Sequence, residues 1–249
     1  MVPDSRVHPR RGRSGERHPP YLRFARDRGF RLCTGCAVDE LLVEGGRVTG
    51  VRVGARTIRA DAVIDATGAW AGRLRPASVP LPLQPFRRHL FVSGPLANPW
   101  PREAPFVWVW RDELYARREG DALLLSPCDE TAHPPGCPPA DPTAAELLAV
   151  TLARHAPGLG HLTLRRSWAC LRTFAPDRRP VVGPDPTLTG LYHVAALGGF
   201  GVTTSAAIAE VAVLAMAGKP ADWLDLAEVS PARLCGAGEM PAAKAAHRQ

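Results

Sequence analysis

The chain has 249 residues, 45% of them hydrophobic, enough for one large or two small globular domains. Its formal net charge of +7 is concentrated in residues 1–31, which hold nine Arg against Asp4, Glu16 and Asp27, while the other 22 basic and 21 acidic groups nearly cancel. A near-neutral body excludes the basic face that nucleic-acid binding needs. No apolar run reaches the ~18–20 residues of a spanning helix, and the N-terminus lacks the apolar segment of a secretory signal. These features predict a cytoplasmic protein with no nucleic-acid and no membrane partner.

Residues 1–20, rich in Arg, Pro, Gly and Ser, read as a disordered leader. Tyr21–Gly29 follows the pattern of a short amphipathic helix stopped by Gly29, and Arg31–Val38 reads as a strand. Cys33 and Cys36 have CxxC spacing without a second such pair, so a reduced thiol state is expected rather than a zinc site. Val38–Val43, the turn Glu44-Gly45-Gly46-Arg47 and Val48–Val53 predict a hairpin, with a third strand at Thr57–Arg59. Asp61–Gly68 reads as a buried parallel strand that opens onto a ligand crevice. Trp70–Leu74 predicts a helical turn ended by Pro76, and residues 77–105 form a Pro-rich change of layer. Phe106–Trp110, Glu113–Arg117 and Ala122–Ser126 predict an antiparallel meander. Pro142–His155 is an expected helix with Asp141 as its cap. His161–Phe174 reads as one or two strands, Val181–Gly183 and Leu191–Ala196 as short buried strands, and Thr203–Ala217 as the long helix. Residues 219–249 are expected to fade into a loop and a frayed tail. The predicted class is α/β (α+β), a nucleotide-binding layer joined to an antiparallel-sheet substrate layer.

Gly198-Gly199-Phe200-Gly201-Val202-Thr203 places three glycines in four residues ahead of an apolar, Ala-rich helix. Such a turn lets backbone approach a ligand closely, and the helix start presents unpaired N–H groups and partial positive charge. A glycine-rich turn alone is weak. Two further segments accompany it here: Ala66-Thr67-Gly68-Ala69-Trp70, and Trp168–Asp177 with Cys170 and Arg172 at its centre.

Together these motifs resemble the D-amino-acid oxidase superfamily of FAD-dependent oxidoreductases, the group of glycine oxidase and sarcosine oxidase, over roughly residues 21–220. The resemblance implies a cofactor, FAD. Its pyrophosphate would pass Ala66, Thr67, Gly68 and Trp70, and its flavin would lie against Gly198, Gly199, Phe200, Gly201, Val202 and Thr203. Val38 would reach the adenine through its backbone. It implies oxidation of the C–N bond of an amino acid or secondary amine by hydride transfer to flavin N5. Arg172 would clamp the substrate carboxylate, as its planar charged fork suits. Tyr115 would face the flavin, its other reading being an ordinary strand Tyr; His89, beside Arg88, is by residue type a candidate proton acceptor, its other reading being a structural role. Cys170 matches the position of a flavin-linking Cys in sarcosine oxidase; its other reading is a small residue where many relatives have Gly. By this resemblance residues 21–82 and 176–222 form a partial FAD-binding domain, 83–175 the substrate domain and 223–249 a tail. The family's opening strand–GxGxxG–helix unit is not found: Gly158-Leu159-Gly160 and Gly236-Ala237-Gly238 lack its remaining features. The sequence thus resembles the C-terminal part of a family member, expected to hold FAD weakly or not at all by itself. A separate chain supplying the missing half is the implied partner, and a truncated, non-catalytic remnant is the alternative.

Overall fold

A computed structural model describes residues 20–74, 81–98, 100–109 and 114–235. The expected leader up to residue 19, the stop at Pro76 and the tail from residue 236 onward lie outside these residues. The chain divides into two compact units at Ala37/Val38. In the first, helix α1 (Pro20–Arg26) ends in a turn whose Gly29 has φ 89°, and the Arg28 guanidinium lies 3.4 Å over the Phe24 ring. The strand expected at Arg31–Val38 does not form. This run has Gly35 at positive φ and is exposed throughout, so no buried face holds it extended.

Among the described residues, the second unit contains three sheets. Strands β1 (Glu40–Glu44), β2 (Arg47–Val53) and β3 (Arg56–Arg59) make the predicted meander. Gly45 and Gly46, both at positive φ, supply the left-handed turn that a two-residue hairpin loop requires. Strand β4 (Val63–Asp65) pairs in parallel with β12 (Leu191–Ala195), which pairs antiparallel with β11 (Val181–Pro184). The expectation of a fully buried β4 fails, because it is the end strand of its sheet and Ile64 is exposed. Asp65 closes it with a buried carboxylate.

The largest sheet has the order β10-β5-β8-β7-β6, with a short β9 (Thr131–Ala132) also on β5. Its members are β5 (Gln84–Ser93), β6 (Val107–Val109), β7 (Leu114–Glu119), β8 (Ala122–Ser126) and β10 (Leu164–Phe174). Strand β5 was hidden within the Pro-rich segment. Pro85 sits near its start, and the ladder with β10 still runs continuously from Gln84 to Leu90. Helix α2 (Thr143–His155) covers one face of this sheet, with Ala144, Leu148 and Leu152 packed on Phe91, Leu114, Ala116, Leu123 and Leu125. The helix begins at Thr143, one residue beyond the predicted start, and Asp141 accepts the Thr143 N–H at 3.0 Å just ahead of it.

Helix α3 (Ser205–Met216) packs Val211, Ile208 and Ala212 on Val182 and Val194 of the β11–β12 pair. It begins two residues later than expected, because the Thr204 N–H and hydroxyl both bond the Phe200 carbonyl and keep residues 200–204 a turn. Residues 223–235, read as tail, instead pack back. The Val182 N–H bonds the Val229 carbonyl, and Val229, Pro231 and Leu234 are buried. No helix among the described residues is long and apolar enough to cross a membrane. Leu148 is 1% exposed at the centre of the α2 contact. Leu148→Ala is expected to lower the unfolding free energy by about 2–5 kcal/mol, measured by urea denaturation followed by circular dichroism.

Candidate functional site

Strand parity decides which side chains of the large sheet can meet. Residues directly opposite in an antiparallel pair point to the same face. The register pairs Arg172 with Phe86, Cys170 with Arg88, Trp168 with Leu90, and Tyr115 with both Ser126 and Trp108. Leu90, Val92, Leu124, Tyr115 and Trp168 pack together on that face, turned away from α2. Arg172, Cys170, Tyr115 and Trp108 therefore share one surface.

The glycine turn lies across this surface. A Cβ at Gly198 would stand 2.6 Å from the Phe174 ring, and one at Gly199 would stand 2.6 Å from Cδ and Nε of Arg172. Both residues have positive φ. The next residue, Phe200, brings its ring to 5.9 Å from that of Trp108. Phe106 adds a further ring 6.0 Å from Tyr115. The turn thus touches β10 at one end and the aromatic row of β6 and β7 at the other.

Arg172 is half-buried, and its Nη1 donates to the Leu171 carbonyl at 3.2 Å. It has no carboxylate partner among the described residues. Its neighbours differ. Arg87 pairs with Asp141 at 2.6 Å, and Arg88 pairs with Glu130 at 2.6 Å. Arg178 pairs with Glu130 at 2.7 Å and stacks 4.2 Å over Phe174. Arg172 is left with an open fork beside the backbone of Gly199.

His89 falls on the other face. It pairs with Ala169, and its ring is fully buried on the α2 side. The Asp141 backbone N–H donates to Nε2 at 2.8 Å, so the ring proton sits on Nδ1 and goes to Asp129 Oδ2 at 2.7 Å. Both ring nitrogens are spent on joining β5 to the loops before and after β9, and neither is left for a substrate proton. An alternation count along β5 would have separated His89 from the Arg172 face, had that strand been recognised.

A second turn, which follows β4, carries Ala66, Thr67, Gly68 and Trp70. Its first three residues are exposed, the Cβ position of Gly68 faces open space, and Trp70 is 47% exposed. Asp65 organises the turn by accepting the Thr67 N–H at 3.1 Å, the Thr67 hydroxyl at 2.6 Å and the Gly72 N–H at 2.8 Å. Burial would push the Asp65 carboxyl up, yet the His193 ring beside it and hydrogen bonds from Gly72 and Thr67 hold it down to about 2. Val38 lies in the run before β1, exposed, and shares no sheet with the other candidates. Trp108, Phe106 and the Asp65–His193 pair were not singled out from sequence. His193 had one legible sign: it stands at an inward position of the alternating strand Leu191–Ala195, where a polar side chain demands a partner.

A profile of the family described as FAD dependent oxidoreductase matches residues 4–214, reaching back into the segment read as a leader. A D-amino acid dehydrogenase of Cereibacter sphaeroides is 34% identical over 192 residues, covering 76% of this chain and 42% of that protein. A glycine oxidase of Pseudomonas aeruginosa is 32% identical over 154 residues, 61% of this chain and 40% of that protein. The chain therefore spans less than half the length of these curated relatives. In fold it is similar to the L-proline dehydrogenase from P. horikoshii, with a TM-score of 0.74 at 22% identity over 87% of this chain and 58% of that one.

The glycine turn generates a graded test. Gly199→Ala meets the movable end of a side chain at a strained φ, and is expected to cost about 1–3 kcal/mol. Gly198→Ala meets the buried ring of Phe174, held between Phe86 and Arg178, and is expected to cost more. Urea denaturation of the two variants checks the order.

Proposed function

The chain belongs to the FAD dependent oxidoreductase family, and we propose that its described residues form the substrate face and the flavin-facing turns of an enzyme that oxidises the C–N bond of an amino acid or secondary amine. The observation that carries this reading is the half-buried Arg172 guanidinium beside Gly199, which has no carboxylate partner among the described residues. A partly desolvated cation without a counter-ion is costly. A carboxylate-bearing ligand supplies that counter-ion with two parallel hydrogen bonds.

The surroundings suit a flavin. Both glycine-bearing turns present apolar side chains to solvent, with Phe200 46% and Val202 91% exposed alongside Trp70. Helix α3 begins without a side-chain cap at Thr204, so its positive end is open to negative charge. Ala66, Thr67, Gly68 and Trp70 would hold FAD on one side, and Gly198, Gly199, Phe200, Gly201, Val202 and Thr203 on the other. Val38 would add a backbone contact to the adenine. When bound, the flavin supplies the two-electron acceptor that takes hydride at N5. The chain's own residues do the rest. Arg172 fixes the carboxylate, and so the Cα–H, in one orientation. Tyr115, on the same face, borders the substrate, and the Trp108–Phe200 contact excludes water from one side. The start of α3 stabilises negative charge that grows at the turn during reaction. His89 is assigned to holding β5 and the start of α2 together. The remaining contacts to FAD are assigned to residues outside this sequence, on the same polypeptide or on a partner chain.

Flavin fluorescence titration, followed by steady-state assays with an amino acid and with its decarboxylated amine, tests this reading. Failure to take up flavin under any complementation would mark a non-catalytic remnant. Flavin that stays with acid-precipitated protein would assign a covalent link to Cys170, which is half-buried two residues before Arg172. Arg172→Ala is expected to remove about 2–5 kcal/mol of substrate interaction. kcat/KM for the amino acid should fall well over tenfold, with little change for the amine. An unchanged ratio between the two substrates would remove Arg172 from the site.

A further inference from the structure

The β4–β12 pairing sets His193 directly across from Asp65 in the parallel register. The ring is fully buried, with Nε2 2.8 Å from Asp185 Oδ2 and Nδ1 3.7 Å from Asp65 Oδ2. Nδ1 has no hydrogen-bond partner at closer range among the described residues. Each carboxylate in turn holds a stretch of backbone. Asp65 takes the Thr67 and Gly72 amides. Asp185 takes the Thr187 and Leu188 amides and the Thr187 hydroxyl, each at 2.9 Å.

The protonation state follows from this geometry. With its proton on Nε2, a neutral ring would aim the Nδ1 lone pair at the Asp65 carboxylate. An imidazolium presents an N–H to each side instead. Burial alone would push the His193 pKa down, but the bond to Asp185 and the pairing with Asp65 outweigh it and raise it. The other charged groups near the ladder are engaged elsewhere: Arg233 on Asp177, and Arg47 on the Asp61 carbonyl. Helix α3 meets the alternate positions Val182 and Val194 with uncharged side chains.

We propose that His193, held as an imidazolium between Asp65 and Asp185, is a positioning residue that locks the Thr67–Gly72 turn in its ligand-facing shape. The inference rests on the reading of that turn as a cofactor contact. It adds a proton-dependent support that reaches the cofactor only through Asp65. The support is complete below the ordinary His value near 6.5 and is lost as pH rises through the raised folded value. On the acid side it is lost as pH falls from the ordinary Asp value of 3.8 through about 2.

The test uses the full chain, without requiring turnover. Imidazole 15N shifts at pH 6 are expected to show both His193 nitrogens protonated. Hydrogen exchange of the Gly72 amide, corrected for intrinsic rate, is expected to accelerate roughly tenfold or more in His193→Gln. Wild type taken above the imidazolium's deprotonation should show the same gain, with β10 amides unchanged in both. A neutral ring at pH 6, or Gly72 protection unaltered in His193→Gln, overturns the proposal. If that variant does not fold, Asp65→Asn and the wild-type pH series decide it by the same amide. FAD fluorescence titration then separates the two layers. Weaker FAD binding alongside lost Gly72 protection supports the positioning role, and unchanged FAD affinity overturns it. No FAD binding by wild type at any pH, even with the complementing residues supplied, overturns the reading of the turn itself, while the exchange data still decide the lock.

Discussion

The close approach of the Gly198–Gly199 backbone to β10 is the constraint on which the site depends. Two sheets of the second unit, β11-β12-β4 and the six-stranded sheet, meet there. At the meeting point a main chain lies where a side chain would otherwise stand. That proximity leaves Arg172 with backbone rather than a carboxylate beside it. It also brings Phe200 to Trp108, so one short turn sets both a charged end and an aromatic end. Phe174 fixes the height of the turn above the sheet. It is buried, packed edge-on to Phe86 at 5.9 Å and covered by the Arg178 guanidinium.

The two polar clusters of the second unit work in contrasting ways. Around His89, a neutral ring joins Asp129 to a backbone amide, and its neighbours Arg87 and Arg88 are each matched by an acid. Every group there has its partner, and the result is rigidity. Around His193, two carboxylates share one ring, so a single proton sits at the centre of several backbone hydrogen bonds. The first cluster ties strands and loops on the covered side of the large sheet. The second stands behind the turn that follows β4.

Much of the scaffold was legible because local pattern and final environment agree. The Gly45-Gly46 hairpin, the β6–β7–β8 meander, the Asp141-led helix and the glycine turn before α3 each carry their own signal. Strand β5 was not legible, since prolines before and within it mimic a loop, and its pairing with β10 is supplied by residues some eighty positions away. Arg31–Val38 failed in the opposite sense, with strand-like composition but no buried face to reward it. Arg172 and Tyr115 were readable as candidates by residue type and motif. That they share a face, and that His89 does not, depends on registers that no local window contains. The packing of Val229, Pro231 and Leu234 was hidden for a similar reason: three apolar residues in a loop announce nothing until the surface that receives them exists.

Alternation along β10 has an evolutionary corollary. Leu171 and Ala169 look toward the α2 side, while Arg172 and Cys170 look toward the glycine turn. The two surfaces can therefore drift separately, one under selection for folding and the other for chemistry, through point substitutions in a single strand. Insertions and deletions have no such freedom. One residue gained or lost within Trp168–Arg172 would exchange the two sets, burying a guanidinium beneath the helix and offering a leucine to the ligand. Length, more than identity, is the property of this strand that descent has to keep.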